Sequence, residues 1–243
     1  MVQAVMASSD VKSLKLAFIG GAGRMGNALT RLHAKHGFKH VTIGSRDLHR
    51  AQEAAAKIKT DLGLTVGAAD MHRAAAEADV VFWVAGPTGS LCKTPDDLKP
   101  RWDTLQTLKA ELEGKHIVDC TNVMYAYPDS AWGTTSSMLM AQEALGVPAK
   151  WTCAWKSVFF KRVLGDPAPD PANPMSVLVC GDDAGAKATT IHIVNQIPGF
   201  KGLDAGSANH SRILELLGPK WLQDLENANY TEKGYVAGWR FGP

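Results

Sequence analysis

The feature that most constrains the fold is a glycine-rich turn at residues 20–26, G-G-A-G-R-M-G, which directly follows the apolar run 14–19. The glycines at its first, fourth and seventh positions keep the spacing of a dinucleotide-binding fingerprint, which permits a tight turn, close approach of a pyrophosphate and close packing of the following helix. The N–H groups at the start of that helix, together with its dipole, favour an anion. The residues expected to surround the phosphates are Gly20, Gly21, Ala22, Gly23, Arg24 and Met25.

The residues after the next apolar run predict which dinucleotide is bound. A site for NAD usually has Asp or Glu there, about 20 residues beyond the turn, to bind the ribose 2′-hydroxyl. Here the position holds Ser45 and Arg46, a hydroxyl group and a fixed cation that suit the 2′-phosphate of NADP. Arg50, one helical turn further on, either faces the same phosphate or is a solvated helix residue. Asp47 is interpreted as the start of a helix rather than as a ribose ligand.

Length and composition indicate a globular protein, because 243 residues can bury a sizeable core in one large or two small domains. The net charge of +2, without a basic cluster, gives no reason to expect nucleic acid as a partner. No apolar stretch approaches the roughly 20 residues of a membrane span, and no signal peptide is evident, so we expect a cytoplasmic protein with no membrane partner. The scattered cysteines are expected to be reduced, and the histidine spacing predicts no metal site.

Apolar runs alternate with helical segments, which predicts an α/β fold: a doubly wound parallel Rossmann sheet with a smaller C-terminal αβ domain. Strands are expected at 14–19, 40–43, 64–66, 79–84 and 116–119, and helices at 25–36, 47–61, 71–78 and 104–112. In the second region strands are expected at 151–155, 175–180 and 200–203, and helices at 136–145, 184–196 and 209–226. We therefore predict an NADP-binding domain at 14–122 and a substrate and dimerisation domain at 123–243.

Several further segments give the chain a resemblance to a known family. They are V-T-I-G-S-R at 41–46, D-C-T-N at 119–122, A-W-K-S-V-F at 154–159, C-G-D-D at 180–183, and L-D-A-G at 203–206 followed by Ser211, Arg212 and Glu215. Together with the glycine turn they resemble the deazaflavin-dependent NADP reductases, whose members couple NADP(H) to the deazaflavin coenzyme F420. The resemblance covers about residues 14–225. It implies NADP (NADPH) as cofactor, a deazaflavin coenzyme as co-substrate, a small-molecule substrate site and a homodimer.

The chain also departs from the family pattern. Ala22 replaces the usual Thr of the turn, Val123 replaces a proline, and Lys156 stands where relatives usually have Asn or His. An enlarged segment at 86–101 and an aromatic tail after residue 226 are further differences. Such insertions fall on surface loops and often shape substrate access.

In doubly wound sheets the ligand lies beyond the carboxyl ends of the strands. That rule adds Val84, Ala85, Gly86 and Asn122 to the expected cofactor site. Residues 84–86 are small enough to let the nicotinamide ribose approach the backbone, or they form an ordinary turn. The amide of Asn122 can hold a carboxamide or a ribose hydroxyl, and this role rests largely on the resemblance.

Lys156 is the catalytic candidate. It follows a strand expected to face the nicotinamide, where partial burial would lower its pKa and suit it to protonate a reduced carbonyl or imine. The alternative is a surface lysine paired with an acid or a phosphate. Glu215 and Tyr125 are weaker candidates. A group of aromatic side chains either stacks on a planar ring system or packs in the core: Trp83, Trp132, Trp151, Trp155, Phe159 and Phe160.

The leading interpretation is an NADP(H)-dependent oxidoreductase that passes a hydride between nicotinamide and a planar or unsaturated acceptor such as a deazaflavin. An NADPH-dependent reductase of a specialised imine or ketone is one alternative. A non-catalytic NADP(H) sensor is the other. A deazaflavin needs little acid–base help from the protein, whereas a ketone or imine needs a proton donor.

Overall fold

One eight-stranded sheet, in the order β3-β2-β1-β4-β5-β6-β7-β8, organises the computed structural model. The structure describes residues 11–86, 95–122, 135–165 and 169–218. Neighbouring strands are parallel except for the antiparallel pair β6 and β7. The strands are β1 Lys15–Ile19, β2 His40–Ser45, β3 Gly67–Asp70, β4 Val80–Trp83, β5 His116–Asp119, β6 Lys150–Cys153, β7 Met175–Gly181 and β8 Phe200–Asp204.

The helices of the described residues connect these strands. They are α1 Arg24–Lys35, α2 Leu48–Leu62, α3 Met71–Glu77, α4 Lys99–Thr107, α5 Lys109–Leu112, α6 Ser137–Leu145, α7 Phe160–Val163, α8 Ala184–Asn195 and α9 Ser211–Glu215. Short 3-10 turns at Pro95–Leu98 and Ala208–His210 precede α4 and α9. Within the part of the chain that the structure describes, no helix combines the length and the apolar character that a membrane crossing requires.

Both faces of the sheet are buried, because alternate strand residues point to opposite sides. Phe18 packs with Leu29 of α1 in one core cluster, whereas its neighbour Ile19 packs with Leu105 of α4 in the other. Helices on both faces of a mostly parallel sheet confirm the doubly wound α/β fold that the sequence predicts.

The third strand is the clearest error in the expected elements. The prediction of 64–66 is wrong, because Gly67–Asp70 pairs with β2 instead. Leu64 and Val66 pack beside Ile43 and Ile58, so their apolar character reflects packing against α2 rather than strand pairing. The strand consists mainly of small residues with low intrinsic β-propensity, and its pairing with β2 overrides that low propensity.

Three other boundaries differ. The expected strand 151–155 ends at Cys153, because Trp155 has a φ of 62°, in the left-handed region where a strand cannot continue. The expected helix 104–112 is two helices that meet at Leu108. The expected helix 209–226 begins as the turn Ala208–His210 followed by Ser211–Glu215, and its residues after 218 lie outside the described residues.

The sheet continues past the predicted boundary at residues 122 and 123. Asp119 of β5 is the register partner of Cys153 in β6, so the strands of the second region extend the first sheet instead of forming a separate one. The division into domains 14–122 and 123–243 stays a prediction.

Candidate active site

The candidate site lies where the sheet reverses its direction of winding. The chain proceeds from β1 to β2 and β3 on one side, and then from β4 to β6 on the other. The carboxyl ends of β1 and β4 are adjacent, since Ile19 and Trp83 are register partners. Open α/β sheets bind ligands in the crevice at such a switch point.

The glycine turn is packed tightly against its neighbours. Gly20 has a φ of 93°, and a Cβ there would lie 2.7 Å from the Cα of Ala85. Its N–H donates to the carbonyl of Gly44 at 2.9 Å, which ties the turn to the end of β2. A Cβ on Gly26 would lie 2.4 Å from the carbonyl oxygen of Gly20, so α1 can approach the turn only without a side chain there.

Gly23 has a different environment. It lies at the N-cap of α1, no described side chain bonds the N–H groups of the first turn, and that turn holds no acid. A Cβ on Gly23 would meet the described structure only at the carbonyl oxygen of Gly20, at 3.2 Å. A Cβ here needs only a shift of a few tenths of an ångström, far less than one at Gly20 or Gly26. The space and the N–H groups suit a phosphate, as the sequence predicts.

The predicted 2′-phosphate residues follow β2. Ser45 is its last residue, and its hydroxyl accepts a hydrogen bond from the N–H of Asp47 at 3.2 Å. The carboxylate of Asp47 accepts from the N–H groups of His49 and Arg50, at 3.0 and 3.4 Å. Asp47 is thus the N-cap of α2, which confirms its interpretation as a helix-start residue.

Exposed positive charge surrounds the turn. Arg24, Arg46 and Arg50 are exposed, and none of them forms an ion pair with any residue that the structure describes. A groove of about 450 Å³ separates α1 from α2 and α7, and its lining includes Arg24, Arg50 and Phe160. Unpaired guanidinium groups beside an uncapped helix start are suited to bind phosphate.

A cluster of buried charges lies at the carboxyl ends of β5 and β6. The ammonium of Lys156 is 2.6 Å from a carboxylate oxygen of Asp119 and 2.9 Å from Oε1 of Glu215. The hydroxyl of Ser137 contacts all three charged groups. A second cation, Arg101 of α4, reaches to 3.8 Å from Asp119. We call Asp119, Lys156, Glu215 and Arg101 the charge cluster.

The pKa shifts in the charge cluster follow from burial and pairing. Burial alone would raise the pKa of Asp119, but Lys156 and Arg101 outweigh it and lower the pKa. Burial raises the pKa of Glu215 more than Lys156 lowers it. Burial would lower the pKa of Lys156, yet the carboxylates of Asp119 and Glu215 overcome that effect and raise it. Glu215 is therefore the member most easily neutralised.

These contacts correct the expectation for Lys156. The expectation of partial burial and a lowered pKa is wrong, because the Lys156 side chain is fully buried and its pKa is raised. The two carboxylates come from positions 37 and 59 residues away in the chain, so a local pattern around Lys156 gives no sign of them. Proton donation to a substrate by Lys156 stays a prediction.

Asn122 is held beside Lys156. Its side-chain N–H donates to the backbone carbonyl of Lys156 at 2.8 Å, while the ammonium of Lys156 donates to the carbonyl of Thr121 at 2.5 Å. The side-chain oxygen of Asn122 is buried and has no hydrogen-bond partner among the residues that the structure describes. A buried acceptor of this kind costs free energy unless a ligand donates to it, so it fits a carboxamide or hydroxyl donor.

Three of the six candidate stacking residues are in the core. Trp83 and Trp155 are completely buried, and Trp155 packs edge-on against Phe200 with ring centroids 5.1 Å apart. Trp151 is 3% exposed. Phe160 differs, because it is half-buried and lines the groove beside the glycine turn. The structure thus favours core packing for these three tryptophans.

Comparison with known proteins decides the family. The family model described as NADP oxidoreductase coenzyme F420-dependent matches residues 15–123. The F420-dependent NADP reductase of Methanocaldococcus jannaschii is 30% identical over 91% of this chain and 96% of that protein. The chain belongs to the F420-dependent NADP oxidoreductase family. It is therefore an NADP-dependent oxidoreductase. The F420-dependent NADP reductase of Methanothermobacter thermautotrophicus is 25% identical, over 86% of this chain and 88% of that protein.

Solved structures with a similar fold include other reductases. An imine reductase variant from Myxococcus stipitatus in complex with NAD+ has a TM-score of 0.56 at 17% identity, over 90% of this chain and 63% of its own. A pyrroline-5-carboxylate reductase from Coxiella burnetii has a TM-score of 0.53 at 16% identity, over 92% and 72%. This member of the F420-dependent family thus spans less than two thirds of the imine reductase, and at such identities the likeness concerns the fold alone.

The structure brings most predicted site residues of this oxidoreductase to one edge of the sheet. Val84 follows β4 directly, with Ala85 against Gly20, while Gly86 is exposed beside the Arg101 side chain. Sequence reasoning missed Arg101, Ser137 and the pairing role of Asp119, because only the fold brings them to Lys156. The described residues do not include Val123, Tyr125 and Trp132, part of the enlarged segment, or the tail after residue 226.

Proposed function

We propose that this oxidoreductase transfers a hydride between NADP(H) and a deazaflavin acceptor of the F420 type. The observation that carries the proposal is its similarity to two reductases named for both coenzymes, which extends over 91% and 86% of the chain. A match to the dinucleotide-binding half alone would say nothing about the acceptor, since one fold serves many reactions. Here the similarity includes the region after residue 122.

The glycine turn and its neighbours would hold the phosphates of NADP. Gly20, Gly21, Ala22 and Gly23, with the N–H groups of Arg24 and Met25, would surround the pyrophosphate. Ser45, Arg46 and Arg50 would bind the 2′-phosphate. The absence of ion-pair partners for these arginines among the described residues supports this, because an unpaired guanidinium group is available to an anion.

Residues at the ends of β4 and β5 would hold the nicotinamide end. The buried oxygen of Asn122 supports a hydrogen bond to a carboxamide or a ribose hydroxyl. Val84, Ala85 and Gly86 would form the wall on the β4 side. When bound, the nicotinamide supplies the hydride, and the protein supplies orientation and exclusion of water.

Lys156 is best explained as a positioning residue. Its ammonium holds the carbonyl of Thr121, and its own carbonyl holds the amide of Asn122, so both ends of Lys156 fix the segment 121–122. Burial and two carboxylate partners leave no free route for its proton to a substrate. In this role Lys156 determines which way the Asn122 amide faces.

The charge cluster also bears on the acceptor. An imine or ketone reductase needs a proton donor to the nitrogen or oxygen of the bond that is reduced. A lysine whose pKa is raised in an ion-pair network is a poor proton donor. A deazaflavin acceptor makes no such demand. The buried state of Lys156 therefore favours the deazaflavin over the imine or ketone alternative.

The proposal includes a homodimer that works in the cytoplasm. Leu164 and Ile213, in the segments after β6 and β8, are 48% and 50% exposed, which suits apolar surface that a second subunit would cover. Cys120, Cys153 and Cys180 are free thiols, as in proteins of reducing compartments. Light scattering that gives a monomer mass at micromolar protein would contradict the dimer.

The experiment is a turnover assay of the purified protein with NADPH and coenzyme F420 under anaerobic conditions. NADPH oxidation should keep pace with deazaflavin reduction, and the Gly23→Val variant should show neither. Turnover of imines or ketones without deazaflavin turnover would favour the alternative enzyme. Tight NADPH binding without turnover of any acceptor would indicate the sensor.

A further inference from the structure

Two cysteines face each other where the sheet changes from parallel to antiparallel. Cys153 is the last residue of β6, and Cys180 is its direct register partner in β7. Their Sγ atoms are 3.0 Å apart, and both side chains lie in the same core cluster. The thiols are close enough to share a hydrogen bond.

The backbone geometry suits a covalent bond between them. Directly opposite residues of antiparallel strands have Cα atoms about 4.5–5.5 Å apart. A disulfide usually requires about 4.4–6.8 Å, so it could form without separating the strands. Because both side chains already point to the same face of the sheet, no reversal of a strand is needed.

The surroundings limit which oxidant can react. Both residues are completely buried, which hinders a bulky disulfide such as oxidised glutathione far more than a small peroxide. Burial and the hydrogen bond to Cys180 raise the pKa of the Cys153 thiol, which keeps the resting pair protonated and slow to react. Cys120 is also buried, but its Sγ donates to the carbonyl of Val118 instead of to another thiol.

We propose that Cys153 and Cys180 are a reversible disulfide site, oxidised by a small peroxide such as hydrogen peroxide. One sulfur attacks the O–O bond, which forms a sulfenic acid and releases water. The other sulfur then attacks the sulfenic sulfur, the S–S bond forms, and the hydroxyl leaves as a second water. The two thiols lose two protons and two electrons, and the peroxide gains them.

The second step distinguishes this pair from a single thiol. A sulfenic acid on either residue has a thiol in contact, so ring closure is intramolecular and precedes further oxidation. The crosslink joins β6, which leads to Lys156, covalently to β7. The site does not depend on the identity of the acceptor, and it stands or falls separately from the proposed function.

The test is peptide mapping after exposure of the folded protein to hydrogen peroxide, with alkylation of remaining thiols under denaturing conditions. We expect a 153–180 crosslinked peptide, lighter by two hydrogens than the reduced pair, that dithiothreitol converts back. Cys120→Ala and Cys92→Ala should still form it.

Cys180→Ala provides the contrast, because Cys153 should then proceed to sulfinic acid or stay alkylatable. Circular dichroism before treatment confirms that each variant is folded. The proposal is overturned if wild-type Cys153 and Cys180 remain separately alkylatable, if they oxidise to sulfinic acids without crosslinking, or if either pairs preferentially with Cys92 or Cys120.

Discussion

Asn122 and Lys156 hold each other: the amide of Asn122 donates to the carbonyl of Lys156 at 2.8 Å, and the Lys156 ammonium donates to the carbonyl of the residue before Asn122. This arrangement fixes the amide with its oxygen free to accept. The proposed cofactor site is thereby connected to a buried charge cluster that does not itself need to touch the substrate.

The first prediction concerns that amide. Asn122→Ala should raise the NADPH dissociation constant by about two- to tenfold, because one hydrogen bond contributes about 0.5–1.5 kcal/mol. Fluorescence titration with NADPH measures it. Asn173→Ala removes an exposed amide of the same type and is the control. Equal affinities for wild type and Asn122→Ala would contradict the placement of the nicotinamide end.

The second prediction separates positioning from catalysis at Lys156. Lys156→Met should lower the free energy of unfolding by about 3–5 kcal/mol, since it leaves buried carboxylates without their cation. Lys187→Met, which breaks a pair with the half-exposed Asp204, should cost about 0–1 kcal/mol. Urea denaturation measures both.

Turnover of the same variant completes that test. In the fraction that stays folded, kcat should fall by less than about tenfold, whereas loss of a general acid typically costs about 10²–10⁴-fold. A drop of that larger size with unchanged stability would show that Lys156 donates the proton after all.

The third prediction concerns NADP selectivity. Wild-type protein should bind NADPH at least about tenfold more tightly than NADH, a difference of about 1.4 kcal/mol. Arg46→Asp should erode or reverse this preference, because a carboxylate repels the 2′-phosphate and can bind a ribose hydroxyl. Lys201→Asp is the control, because it makes the same change of charge at an exposed position of β8. Equal dissociation constants for the two cofactors in the wild type would refute the assignment.

The fourth prediction compares two glycines of one turn. Gly23→Val should leave the protein folded and abolish NADPH binding, since its Cβ would lie in phosphate space and, among the described residues, close only to the Gly20 carbonyl oxygen, at 3.2 Å. Gly26→Val should instead destabilise the fold, because its Cβ would lie 2.4 Å from that carbonyl. Retained NADPH binding in Gly23→Val, measured by fluorescence, would rule out this location of the phosphates.

The phosphate-binding part of the proposed site can be read from the sequence because that part is local: glycines 20, 23 and 26 and the end of β2 lie in short runs of the chain. The charge cluster could not be predicted in the same way. Asp119, Lys156 and Glu215 meet only after β5, β6 and α9 converge, and the sequence of each segment gives no sign of this pairing. The third strand was missed for a related reason, since Gly67–Asp70 is a strand by virtue of its partner β2.

The last prediction is that the folded protein loses stability at acidic pH, and that buried histidines outside the proposed cofactor site cause this loss. His33 is completely buried, its ring packs against Phe18, Phe38 and Phe82, and its Nδ1–H donates to the carbonyl of Leu29 at 2.7 Å. Burial lowers its pKa from 6.5 to about 4. Between pH 6.5 and about 4, His33 binds a proton in the unfolded chain but not in the folded chain. Stability is therefore greatest above pH 6.5 and falls as the pH drops towards 4. The slope should be about 1.4 kcal/mol per pH unit for this residue. His116, whose pKa burial also lowers to about 4, adds a similar slope.

Urea denaturation between pH 7.5 and about 4.5 should give a shallower pH dependence for His33→Phe than for wild type. His49→Gln removes an exposed histidine and serves as the control. If His33→Phe changes the slope no more than His49→Gln does, the buried histidine is not the source of the acid sensitivity.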